Sequence, residues 1–202
     1  MSRNLEYKFF GLCNYEDSFQ LMKSLIKKKY FKNEIWFLEH YPVFTLGTAA
    51  KEKHILNSKD IPVFQSDRGG EVTYHGPGQL VIYFILDIKQ LKLGPKKLVT
   101  KLEHFIISLL KNYGIESNLI DGAPGVYVDE MKIASIGLRI SNGKCYHGIS
   151  INVEMDLKPF KDINPCGYIG LEVTQINRLV DGIKIQQVMK DAQILLKDLF
   201  DN

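Results

Sequence analysis

A chain of 202 residues, 45% hydrophobic and 24% charged, has the size of one globular domain with a substantial apolar core, and residues 1–202 are read as a single domain. A formal charge of +3, with no long basic stripe interleaved with aromatics, argues against nucleic acid as a partner, and the longest apolar run, Leu80 to Leu86, is far too short to span a membrane. The N-terminus has no signal-peptide or transit-peptide pattern, and Cys13, Cys145 and Cys166 match neither a disulfide framework nor a paired-cysteine metal site, so a cytoplasmic protein is expected.

Phe19, Met22, Leu25 and Ile26 recur at helical spacing, which predicts a first helix over Glu16 to Lys29 with Asn14 as its N-cap. The Lys27-Lys28-Lys29 run at its end reads as a solvated helix terminus, with a docking patch for an acidic protein as the sharper alternative. Ile35 to Leu38, Val43 to Leu46 and Ile61 to Phe64 read as strands. Glu71 to Tyr74 and Gln79 to Ile88 flank His75-Gly76-Pro77-Gly78, which predicts a hairpin with a wide, rigid tip. Leu98, Leu102, Phe105, Leu109 and Leu110 define a helix over Pro95 to Tyr113, started by Pro95 and closed by Gly114. Strands follow at Ser117 to Ile120, Gly125 to Val128, Lys132 to Ile140 and Lys144 to Val153, the last two joined at an Asn142-Gly143 turn. A final helix runs from Ile185 to about Phe200, with Asp181 as a nearby cap. Helices at the start, middle and end of a strand-dense chain predict an α+β fold, a central mixed and largely antiparallel sheet flanked by helices.

Three places carry residues suited to chemistry. Arg68 to Gln79 holds four glycines beside Arg68, Thr73 and His75, a composition that fits either a tight structural turn or a wall against which a ligand lies close to the backbone. Cys166 sits in Asn164-Pro165-Cys166-Gly167, where a turn presents the sulfur with little bulk beside it; an inert loop cysteine is the plainer reading, an acyl-accepting thiolate the sharper one. Lys132 begins an otherwise apolar strand, so it is either a solvated lysine or an amine carried into a pocket, where it can exchange protons. His147 reads as a hydrogen-bonding strand histidine, and Cys145 as a small buried hydrophobe. Gly137 to Lys144 fails as a phosphate loop, because five residues separate its glycines and Cys145 stands where Ser or Thr would hold magnesium.

Four ordered segments, RGGEVTYHGPGQLVIY from Arg68, KIASIGLRI from Lys132, HGISINVEMDL from His147 and INPCGYIGLEVTQI from Ile163, resemble the lipoyl(octanoyl) transferases. The resemblance spans most of the chain and implies a fold like the catalytic domain of biotin and lipoate ligases. It implies that Cys166 is the acyl-thioester nucleophile and that Lys132 favours its thiolate and handles protons. It assigns acyl binding to Arg68, Gly69, Gly70, Glu71, Val72, Thr73, Tyr74 and His75, to Ser135, Ile136 and Gly137, and to Gly148, Ile149 and Ser150. The implied donor is octanoyl on the phosphopantetheine of acyl carrier protein. The implied acceptors are lipoyl domains of 2-oxoacid dehydrogenase complexes and the glycine cleavage H protein, with no metal or other cofactor. The alternative on the same fold is an ATP-dependent lipoate or biotin ligase, against which the Pro-Cys-Gly motif speaks. Ser150, where alanine is common in the family, and the Ile140 to Gly143 turn are departures that bear on chain-length preference.

Overall fold

The computed structural model describes residues 5–58, 60–168 and 170–201, without the side chains of Cys166 and Asp201. In chain order it runs β1 (Leu5–Cys13), α1 (Tyr15–Lys27), β2 (Asn33–His40), β3 (Val43–Leu46), β4 (Val63–Gln65), β5 (Val72–His75), β6 (Gln79–Asp87), α2 (Pro95–Lys111), β7 (Asn118–Ile120), β8 (Ala123–Val128), β9 (Met131–Ser141), β10 (Lys144–Asn152), α3 (Ile176–Leu179) and α4 (Ile185–Asp201). Seven strands form one sheet in the order β1-β2-β6-β10-β9-β8-β7, and β4-β3-β5 form a second. In the large sheet β1 and β2 are parallel and the other neighbours antiparallel. This is the mixed α+β architecture expected from the element order.

Side-chain alternation gives the large sheet two buried faces. On one face Leu80, Ile82, Phe84 and Leu86 of β6 meet Leu98, Leu102, Phe105 and Leu109 of α2 and Val188, Ala192, Leu196 and Phe200 of α4. On the other, Val81, Tyr83 and Ile85 pack with Trp36, Leu38, Tyr146 and Met22 of α1. The small sheet closes over this second face with its own core of Phe44, Leu46, Val72, Tyr74, Met155, Leu157, Phe160 and Ile163.

Four expectations change. Val72–His75 and Gln79–Asp87 do not pair as a hairpin: β5 joins the small sheet and β6 the large one. The Gly-Pro-Gly segment is therefore a corner between sheets, and Gly78, at φ +84°, lies so close to Glu154 that a Cβ would stand 2.7 Å from its carbonyl. The strand β1 was not expected: its alternation, Leu5, Tyr7 and Phe9 against Glu6 and Lys8, breaks at Phe10, where Phe9 stacks on Phe37 and Phe10 packs on Trp36 across a register shift at Gly11. Asn14 occupies the N-cap position of α1 without a side-chain cap bond, its amide donating to Asp17 instead. At the start of α4 the Ile185 N–H is met by Glu154, 3.0 Å away, rather than by Asp181. The Asn142-Gly143 turn is as expected, with both residues at positive φ and β9 paired to β10 across it.

Candidate active site

Between the two sheets lies a cavity of about 490 Å³. One wall is the segment from Arg68 to Thr73 with His75. The floor is the outward row of the large sheet, Val81 and Tyr83 of β6, Ser135 and Gly137 of β9, and Gly148 and Ser150 of β10. Lys132, Pro124 and Tyr168 line it as well. The three segments to which the resemblance assigns acyl binding thus line one cavity, although they are separate in the chain. Ser135 pairs directly with Ser150 and Gly137 with Gly148. Tyr74 is the exception: on a pleated strand it points the opposite way from Thr73 and His75, into the small core against Phe44 and Phe160.

Glycine shapes the floor. A Cβ on Gly148 would stand 1.8 Å from the Ile82 carbonyl, and one on Gly137 would be 3.2 Å from the Gly69 carbonyl. The wall segment is fixed by its own arginine. Arg68 is buried and its guanidinium donates to Thr45 O and Glu71 O, each at 2.7 Å, to Thr45 Oγ1, and to Gly69 O. The Gly69 N–H donates to Leu138 O at 3.0 Å, which ties the wall to β9.

Lys132 is 3% exposed. Its backbone exchanges hydrogen bonds with Glu172 O and Thr174 N, both at 2.9 Å, so the chain that follows Cys166 pairs alongside β9. Its Nζ donates to Pro124 O at 2.6 Å and lies 5.3 Å from the centre of the Tyr127 ring. Gly125, at φ +129°, leaves it room: a Cβ there would be 2.5 Å from Lys132 Cε. The buried-amine reading of Lys132 is the one the fold produces. The backbone of Cys166 lies in a single 3-10 turn, Pro165–Gly167, whose glycine packs on Glu71; the Cys166 side chain itself lies outside the described residues.

Asp67, which no sequence motif singled out, anchors the wall from behind. Its Oδ2 accepts from Lys23 of α1 at 2.9 Å and from the Tyr146 hydroxyl, and its Oδ1 accepts from His147 Nε2 at 2.8 Å. Burial pushes this carboxyl up, but the donors from His147, Tyr146 and Lys23 together hold it well below the usual carboxylate range. Adjacent strand residues normally point to opposite faces. Tyr146 and His147 reach the same carboxylate because His147 adopts φ +61°, and β10 skips its pairing with β6 between Cys145 and Gly148. His147 is therefore a hydrogen-bonding strand histidine, as expected, in a backbone conformation that sequence alone does not disclose.

A second polar set joins the sheets beside the cavity. His40 Nδ1 donates to Cys13 O at 3.1 Å, so its Nε2 accepts from the Tyr83 hydroxyl at 2.7 Å. His75 Nδ1 donates to Gln79 Oε1 at 2.7 Å, and its ring stacks on Tyr15. Burial holds His40 down to about 4, and burial followed by the charge of His40 holds His75 well below its ordinary value. Cys145 is fully buried on the helix side, and burial pushes its thiol up to about 12, which leaves it a packing residue.

The sequence matches the lipoyl protein ligase A/B catalytic domain family over residues 14–195. It is 52% identical over 180 residues to an octanoyltransferase of Legionella pneumophila (strain Corby), covering 88% of this chain and 90% of that one. It is 48% identical over 190 residues to an octanoyltransferase of Pseudomonas entomophila (strain L48), covering 93% and 88%. Among solved structures it resembles a putative lipoate protein ligase from T. acidophilum with a TM-score of 0.77 at 15% identity, over 98% of this chain and 85% of that one, a likeness of fold.

Proposed function

The chain belongs to the lipoyl protein ligase A/B catalytic domain family, and from that premise we propose how it works as an octanoyltransferase. It is an acyltransferase, named so by relatives about half identical to it along nearly their whole length. In this reading it takes octanoyl from octanoyl-acyl carrier protein onto Cys166 and passes it to a lysine of a lipoyl domain, as the first step of protein lipoylation in the cytoplasm. The acceptors would be the lipoyl domains of 2-oxoacid dehydrogenase complexes and the glycine cleavage H protein. Residues 1–202 form the one catalytic domain, and no metal, ATP or other cofactor takes part.

The observation that carries this reading is the burial of Lys132 at one end of a glycine-floored cavity, held there by the Pro124 carbonyl. A lysine amine is withdrawn from water only where a structure supplies partners and a use for it. Its ammonium would favour the Cys166 thiolate. The donor thioester already stores the energy of transfer, so exchange onto a second thiol needs no nucleotide. The acyl chain would then lie along Ser135 to Gly137 and Gly148 to Ser150. The Gly70 and Glu71 amides, which donate to no acceptor among the described residues, are free to hold the thioester oxygen as charge develops on it.

The test is intact mass after incubation with octanoyl-acyl carrier protein and no ATP. Wild type is expected to gain one octanoyl group, Cys166→Ser none as a thioester, and Lys132→Ala to stay folded but transfer nothing to a lipoyl domain. An unmodified wild type, or acylation that requires ATP, sinks the mechanism in favour of a ligase.

A further inference from the structure

Glu71 belongs to the cavity in two ways. Its carbonyl is part of the wall, accepting Arg68 Nη2 at 2.7 Å and the Gly47 N–H at 3.2 Å. Its side chain turns toward the Pro165–Gly167 turn, where a Cβ on Gly167 would stand 3.3 Å from Glu71 Cδ and 3.4 Å from Oε1. The carboxyl therefore packs on the bare side of the turn, one residue from Cys166. Its Oε2 is closed off from solvent and meets no hydrogen-bond donor among the described residues. A carboxylate oxygen denied both water and a donor among the described residues is costly to keep, and because Glu71 lines the cavity, a rotation of its side chain would offer that oxygen to a ligand that brings the donor.

We propose that Glu71 receives the acceptor lysine, pairing with its ammonium and placing its nitrogen beside the acyl group on Cys166. The inference rests on Cys166 as acyl carrier. A protein lysine reaches the enzyme as an ammonium at neutral pH, and the lining it must enter includes Val81, Ile136, Leu138 and Ile149. Entry into such a lining is favourable only when the charge is paired. The step balances without a further reactant. In the first half-reaction the Lys132 ammonium gives its proton to the departing phosphopantetheine thiolate, so its amine can take one proton from the acceptor ammonium, whose nitrogen forms the C–N bond. The C–S bond breaks with its electron pair on the Cys166 sulfur, and the nitrogen's second proton passes to that sulfur. Glu71 exchanges no proton in this step and acts by pairing and placement.

The two half-reactions separate this role from a structural one. Glu71→Gln keeps the side-chain volume and removes the charge. Its acylation by octanoyl-acyl carrier protein, read by intact mass, is expected to slow less than the second half-reaction does, because the wall contacts of Glu71 are made by its backbone. The isolated acyl-enzyme is then expected to transfer to a lipoyl domain about 10- to 100-fold more slowly, and Glu71→Asp to recover part of the loss. Equal slowing of both half-reactions overturns the proposal, as does unchanged transfer to the lipoyl domain. A wild type that takes no acyl group overturns both this role and the Cys166 intermediate, whereas normal acylation with an unaffected second step overturns Glu71 alone.

Discussion

Asp67 gathers donors from two elements onto one carboxylate directly before the glycine wall, so its removal should be felt in both stability and geometry. An amide at this position keeps one acceptor oxygen and sets its NH₂ against Lys23 and Tyr146 or against His147. Asp67→Asn is expected to cost about 2 kcal/mol at neutral pH, the range for hydrogen bonds to a charged group. The pH dependence has a definite sign. The folded carboxyl titrates lower than the unfolded one, so its stabilisation is complete above about pH 4 and fades as pH falls through the folded value. Urea midpoints of wild type and Asp67→Asn should therefore differ at pH 7 and draw together in acid; a constant gap would show that the carboxylate charge is not what holds the wall. Little of this was legible beforehand. Arg68 drew notice through its glycines, while Asp67 acquires meaning only from the φ of His147, and a histidine at positive φ leaves no mark in a sequence.

At the scale of elements, β10 is the strand on which the floor depends, since it pairs with β6 on one side and β9 on the other. Gly148 lets it approach β6, with the Ile82 carbonyl 1.8 Å from where a Cβ would be. The atom in the way is backbone, and no rotamer relieves it. Gly148→Ala is expected to destabilise the chain by about 3 kcal/mol or more, the severe end for a single substitution, and to lower the denaturation midpoint far more than Ser150→Ala on the same strand. Comparable midpoints for the two would mean that β10 can shift without loss. The helices and the β9–β10 hairpin were legible because their signals are local: a 3.6-residue apolar period with Pro95 and Gly114 as punctuation, and an Asn-Gly turn. The β5–β6 hairpin was misread for the same reason. Two strands and a Gly-Pro-Gly turn look like a hairpin locally, but pairing with strands far away in sequence, β5 with β3 and β6 with β2 and β10, puts them in different sheets. The site segments could be named in the sequence through their order, but their convergence depends on pairings such as Ser135 with Ser150 that composition does not encode.

At the scale of the whole molecule, the cavity exists because two sheets are held apart and together by a polar joint. His40 of β2, Tyr83 of β6, His75 of β5 and Tyr15 of α1 meet there, with Tyr15 bonded to Ser66 at 2.7 Å, and His147 packs edge-on to Tyr83. Burial holds His40, His75 and His147 below their ordinary values, so each is neutral in the folded chain and gains its proton more readily when unfolded. Stability from the joint is therefore complete above about pH 6.5 and is lost as pH falls, by about 1.4 kcal/mol per pH unit for each histidine until its folded value is reached. For His40 that window closes at about 4. The single tryptophan, Trp36, is buried on the same side of the large sheet, and its fluorescence can follow urea unfolding at each pH. The midpoint is expected to fall steeply between pH 7 and pH 5 in wild type and less steeply in His40→Asn, whose lower starting stability no longer carries that proton. Equal slopes in the two proteins would remove His40 from the joint. A flat profile in wild type would mean that the sheets are held by their apolar cores alone, and that the cavity wall can part from its floor without a change in protonation.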